Sequence, residues 1–160
     1  MRTTRRLIPT TATTMVAAAT MLFAVMALTG CGDDGEAEAH TLSETEFVEQ
    51  TNALCAAQTQ AISGVIGPLF AGGQPSPQDQ QAALDQIVTL SRRLAVDIDA
   101  LAEPRSLTTD IGTLISRLNA GTDEAAKQTG ADFFGSDDNP WADAEARAQE
   151  MGLDACTGEG

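Results

Sequence analysis

The sequence predicts an all-α domain, a small bundle of three long helices and one short one. Three observations carry this. Apolar residues recur at spacings of three, four and seven rather than in alternation, which places them on one side of a helix. Two segments open with strong helix-start chemistry, Ser43-Glu44-Thr45-Glu46 and Ser76-Pro77. Breaks at Gly72-Gly73-Gln74-Pro75 and at Pro104 cut the chain into helix-sized pieces, and no segment reads as a strand.

The first helix is expected to start at Ser43. With Glu46 three residues on, Ser43 fits a capping box, in which the hydroxyl and the carboxylate satisfy each other's backbone donors. Phe47, Leu54, Ile62, Val65, Ile66 and Leu69 then form one apolar stripe, with Cys55 beside it and turned to the core. Gly64 and Gly67-Pro68 should weaken the last turns.

The second helix starts at Ser76, an N-cap followed by proline at the first helical position. Leu84, Ile87, Val88, Leu94, Ile98 and Leu101 give the cleanest amphipathic pattern in the chain, and Pro104 ends it. Arg92 and Arg93 fall off the stripe and belong to a solvated face. A third helix begins near Ser106, carrying Leu107, Ile111, Leu114, Ile115 and Leu118. Two courses are open beyond it: the helix runs through Gly121 to Lys127 or Thr129 with Ala125 in phase, or Gly121 splits it. Phe133 and Phe134 then meet a turn-rich loop, Gly135-Ser136-Asp137-Asp138. Asn139-Pro140 caps a short fourth helix whose inner face is Trp141, Ala144, Ala148 and Met151. Gly152 followed by Leu153 suits a Schellman ending, and the tail delivers Cys156.

Upstream of this domain the chain reads as an address. Arg2, Arg5 and Arg6 precede an apolar run from Met15 to Leu28 that is broken only by Thr20. At the rise of an α-helix that run is about 21 Å long, short for a membrane span and suited to the core of an export signal. It ends in Leu28-Thr29-Gly30-Cys31, which resembles the lipobox of bacterial lipoproteins. The resemblance implies a signal peptide over 1–30, cleaved to leave Cys31 as a diacylglyceryl-modified N-terminus on the extracytoplasmic face of the cell membrane. Thr4-Arg5-Arg6-Leu7-Ile8 also resembles a twin-arginine export signal, so both the general and the twin-arginine routes stay open. Residues 31–41 are small, acidic and polar, a flexible tether carrying the lone histidine, His40, as a solvated residue. The bundle occupies 42–160.

Loss of Arg2, Arg5 and Arg6 with the signal leaves six basic against 23 acidic side chains, a formal charge of −17. Such a surface argues against nucleic acid, whose phosphates need clustered Lys and Arg. It also repels anionic headgroups, leaving the acyl chains to hold the membrane. With Cys31 given to lipid, Cys55 and Cys156 remain as a single pair in an oxidising compartment, and a disulfide between them is expected. The order of lipobox, acidic tether, Phe47…Asn52-x-x-Cys55, Leu101-x-x-Pro104 and Ala148-x-x-x-Gly152-Leu153-x-x-Cys156 resembles small, alanine-rich actinobacterial lipoproteins and secreted proteins. That resemblance implies the bundle and the disulfide and brings no activity with it.

Catalytic chemistry is sparse. One histidine cannot build a zinc site or an ordinary Ser-His-Asp arrangement, and there is no G-x-S-x-G elbow. Gly72-Gly73 lacks the Lys and Ser/Thr of a phosphate loop. Asp132, Asp137, Asp138, Asn139 and Asp143 crowd one region without the order of a calcium loop. Carboxylates such as Asp97, Asp99, Asp110 and Glu145 fall on expected solvated faces. The expectation is therefore a protein without catalytic residues, metal or cofactor. Two classes are left: an interaction or accessory module that docks on another envelope protein, and a carrier holding a small apolar ligand or lipid between its helices. Phe70, Phe133, Phe134 and Trp141 are the candidate ligand lining, or else fill one end of the bundle.

Overall fold

The computed structural model describes residues 41–158. The export signal, Cys31 and the tether as far as His40 lie outside the described residues. Helix α1 spans Glu44–Ala71, α2 Pro77–Asp99, α3 Thr108–Ala125, α4 Gly130–Gly135 and α5 Ala142–Glu150, and a 3-10 turn follows over Asp154–Cys156. Among the described residues there is no strand. The chain is an all-α bundle of three long helices, and α4 joins the expected short α5.

Helix α2 is the centre of the arrangement. It packs against α1 on one side, α3 on the other and α4 at its N-terminal end, while α5 lies on α3 and the 3-10 turn bridges α1 and α5. Its stripe explains this position: Leu84, Ile87, Val88, Leu94 and Ile98 are all buried, together with Ala83, Ser91 and Ala95. Burying each large apolar side chain contributes about 1.5–3 kcal/mol against leaving it in water. Phe47 and Cys55 of α1 and Ile111 and Leu118 of α3 close on the Leu94–Ile98 region.

Local chemistry sets most boundaries. Ser43 caps α1 with both halves of the capping box formed: its hydroxyl accepts from the Glu46 N–H at 3.3 Å, and the Glu46 carboxylate accepts from the Ser43 N–H at 2.9 Å. The Ser76 hydroxyl accepts from the Asp79 N–H, with Pro77 in the first turn. Helix α5 ends in a full Schellman motif. The Leu153 N–H donates to the Ala148 carbonyl and the Gly152 N–H to that of Gln149, with Gly152 at φ 72° and Leu153 buried.

Several boundaries differ from the sequence reading, each for a physical reason. Helix α1 does not weaken at Gly64 and Gly67-Pro68; it continues to Ala71, because the exposed turn there leaves the carbonyl facing Pro68 open to water. Its stripe is not buried as one: Phe47, Thr51 and Cys55 are buried, whereas Leu54, Ile62, Val65, Ile66 and Leu69 are half-buried. Helix α3 starts at Thr108 rather than Ser106, since the Ser106 hydroxyl donates to Glu44 of α1 instead of capping its own helix. It runs unbroken through Gly121 and ends at Ala125.

Phe133 and Phe134 lie on a short helix, α4, that the sequence reading did not assign, and the expected loop follows them from Ser136. Thr129 caps α4, accepting from the Asp132 N–H, and the Gly130 N–H donates to the Gln81 side chain of α2 at 2.8 Å. A side chain at Gly130 would overlap the α2 backbone, its Cβ falling 2.4 Å from the Gln80 carbonyl carbon. Asn139 does not cap α5. Its side-chain oxygen accepts from the Trp141 N–H, an Asx turn that leads into the helix one residue before its first turn.

Candidate functional site

Cys55 and Cys156 are joined, their Cα atoms 5.0 Å apart across 101 residues of sequence. The Ala155 N–H adds a bond to the Asn52 side chain at 3.0 Å. The C-terminal turn is thus bolted to the middle of α1. Beyond that bolt α1 and α3 do not pack along one another, because α2 lies between them. The result is a cleft floored by α2, with α1 as one wall, α3 and α5 as the other, and the disulfide across one end.

The cleft holds a cavity of about 140 Å³. Its apolar walls are Ile62 from α1, Leu94 and Ile98 from α2, Leu114 and Leu118 from α3, and Trp141, Ala144 and Ala148 from α5. Gln58 and Thr59 of α1, Ser91 of α2 and Glu145 of α5 supply its polar groups, and Ala155, Cys156 and Gly158 line the disulfide end. Ser91 is 2% exposed, and its hydroxyl accepts from Gln58 Nε2 at 3.2 Å, so the α1–α2 wall carries one polar pair inside an otherwise apolar seam. Glu145 accepts from Asn139 Nδ2 at 2.8 Å.

The four aromatic candidates come together as one row of edge-to-face contacts. Phe70 meets Phe134 with centroids 5.8 Å apart, Phe134 meets Phe133 at 5.0 Å, and Phe133 meets Trp141 at 6.0 Å. Phe133, Phe134 and Trp141 pack on Leu84, Val88 and Ala125, a role in the core at that end of the bundle. Only Trp141 also lines the cleft. Phe70 and Phe134 border a separate, more open depression beside Pro75 and Pro77.

Gln58 and Ser91 were not singled out from the sequence. Ser91 had a readable signal, since it occupies an apolar register between Val88 and Ala95 on the buried face of α2. Glu145, expected on a solvated face, is half-buried at the cleft. Asp110 is also engaged, pairing with Arg147 of α5, which reaches Glu150 as well. The hydrogen bond to Glu150, joined by the charge of Asp110 and set against partial desolvation, raises the Arg147 pKa above its ordinary value. Arg92 and Arg93 are exposed as expected, facing Asp123 and Asp97 at 3.5 Å. Among the described residues no three His, Cys, Asp or Glu side chains are grouped to hold a metal ion.

No known protein family, curated protein or solved structure matches the chain.

Proposed function

We infer that this is a non-enzymatic binding module, tethered through a diacylglyceryl group on Cys31 to the extracytoplasmic face of the cell membrane, whose cleft takes a small apolar group. The observation that supports it is the cavity between α1 and the α3–α5 wall, which the folded domain leaves between apolar side chains. Core packing normally closes such space, because lining atoms without neighbours forfeit dispersion contacts. Its volume, about 140 Å³, is close to that of an engineered enclosed cavity of about 150 Å³ that takes benzene, although this cleft is open to solvent on one side. It therefore suits a small molecule or one end of a larger one rather than a whole lipid.

Native mass spectrometry of the protein released gently from its host's envelope tests this reading. A co-purifying apolar compound lost on denaturation is the expected result; a bare chain that stays bare when offered small apolar compounds contradicts it. The intact mass should carry a diacylglyceryl group on Cys31, and Cys31→Ala should move the protein from the membrane to the soluble fraction.

A second reading, docking on another envelope protein, is favoured by the surface of α1. Between Glu49 and Asp79 the chain has no charged side chain, although it is strongly acidic elsewhere. By length and composition α1 is also apolar enough to cross a membrane, while in the fold it packs along α2. Photo-crosslinking from Ala57 and Ala61, both exposed on that helix, tests this reading: a discrete partner band supports it, and none contradicts it.

A further inference from the structure

We propose that the cleft discriminates by charge, accepting small amphiphiles with a cationic end, aryl- or alkylamines, in preference to carboxylates of the same size. This rests on the reading of the cleft as a binding site. Among the described residues Glu145 is the one ionisable side chain on the cavity wall, and no Lys, Arg or His lines it. The nearest arginines of α3 and α5 are used elsewhere: Arg147 is held by Asp110 and Glu150, and Arg117 donates to the Asp143 carbonyl at 3.2 Å. A bound carboxylate would face Glu145 with no counter-charge, whereas an ammonium would gain one. One Glu145 oxygen is taken by Asn139, and the other accepts from no protein donor among the described residues.

The remaining polar pair completes the specificity. Ser91 is buried on the cavity wall, and its oxygen accepts from Gln58 Nε2 at 3.2 Å. This hydroxyl–amide pair on an otherwise apolar wall offers hydrogen bonds to a ligand heteroatom that a pure hydrocarbon could not use. Glu145 and the Gln58–Ser91 pair stand on different walls, with Ile62, Leu94 and Leu118 also lining the space. An apolar body with a basic, hydrogen-bonding end fits that layout. The acidic surface of the domain enriches cations around its mouth.

The test compares benzylamine, benzyl alcohol and benzoate, matched in size to the cavity, on the full-length chain in phosphatidylcholine nanodiscs. Binding is followed by ligand-observed NMR with empty nanodiscs subtracted. At low salt benzylamine should bind about 3–5-fold more tightly than benzyl alcohol, as expected of a partly exposed ion pair, and benzoate most weakly. Glu145→Gln should bring the amine-to-alcohol ratio close to one. Benzoate binding as well as benzylamine, or a ratio that survives Glu145→Gln, overturns the charge selection while leaving the cleft as a binding site. If none of the three binds, or if binding is unchanged by Ile62→Trp, which adds bulk to the cavity wall, the cleft reading itself is overturned.

Discussion

The indole N–H of Trp141 donates to the hydroxyl of Thr122 at 3.1 Å, and that hydroxyl donates in turn to the Leu118 carbonyl at 2.7 Å. This relay fixes the entry of α5 onto α3. It also sets the plane of the one aromatic ring that belongs both to the aromatic row and to the cleft. Thr122 is fully buried, so its hydroxyl has no water to turn to. Thr122→Val keeps the shape and removes both bonds. It is expected to cost about 1–3 kcal/mol and to blue-shift the emission of Trp141, the only tryptophan, whose N–H loses its acceptor. Chemical denaturation and fluorescence read both; an unchanged midpoint and spectrum would mean the relay is incidental.

Two glycines of the same helix should respond in opposite directions to alanine. A Cβ at Gly121 would sit 2.4 Å from the Pro140 carbonyl oxygen, so the loop before α5 must move away. Gly121→Ala is expected to destabilise by about 1–3 kcal/mol, in the range of overpacking. Gly112 is exposed, with nothing near its Cβ position, and Gly112→Ala should stabilise by about 0.5–1 kcal/mol through the unfolded chain. Urea midpoints of the two variants give the comparison.

The disulfide closes most of the domain into one loop. With its cysteines 101 positions apart, the chain-entropy model assigns it about 4.7 kcal/mol. The double variant Cys55→Ala, Cys156→Ala should lose about 3–5 kcal/mol on that basis. Hydrogen exchange should show the 3-10 turn Asp154–Cys156 and the neighbouring part of α1 opening first, since the turn is otherwise held to α1 by the Asn52–Ala155 bond. An equal loss of protection throughout would argue that the bond acts on the whole fold alone.

The cap of α1 provides a local control. Ser43 and Glu46 satisfy each other's backbone donors at an exposed helix end. Ser43→Ala should cost about 1 kcal/mol without altering the cleft, which lies farther along α1.

Much of the architecture was legible because its signals are local. Ser43, Ser76 and Gly152-Leu153 each satisfy backbone groups within a few residues, and the stripe of α2 needs only a helical period to be seen. What could not be read depends on neighbours distant in sequence. Ser106 leaves its own helix for Glu44, and Gly130 needs Gln81 beside it before α4 makes sense. The half-burial of Ile62 and Leu69 depends on which helices fail to cover them, a property of the assembled bundle. The aromatic quartet was visible as composition, and the fold brings it into one row. The cleft was not visible, because a cavity is space left between α1, α2, α3 and α5, and no single stretch of sequence encodes it.

A crystal of the mature protein pressurised with xenon probes the cleft itself, because xenon enters apolar cavities without needing a hydrogen bond. A xenon peak is expected in the cleft, between Ile62, Leu94 and Leu118. No peak there, with α1 closed against α3 and the space filled by its own side chains, would contradict the cleft reading.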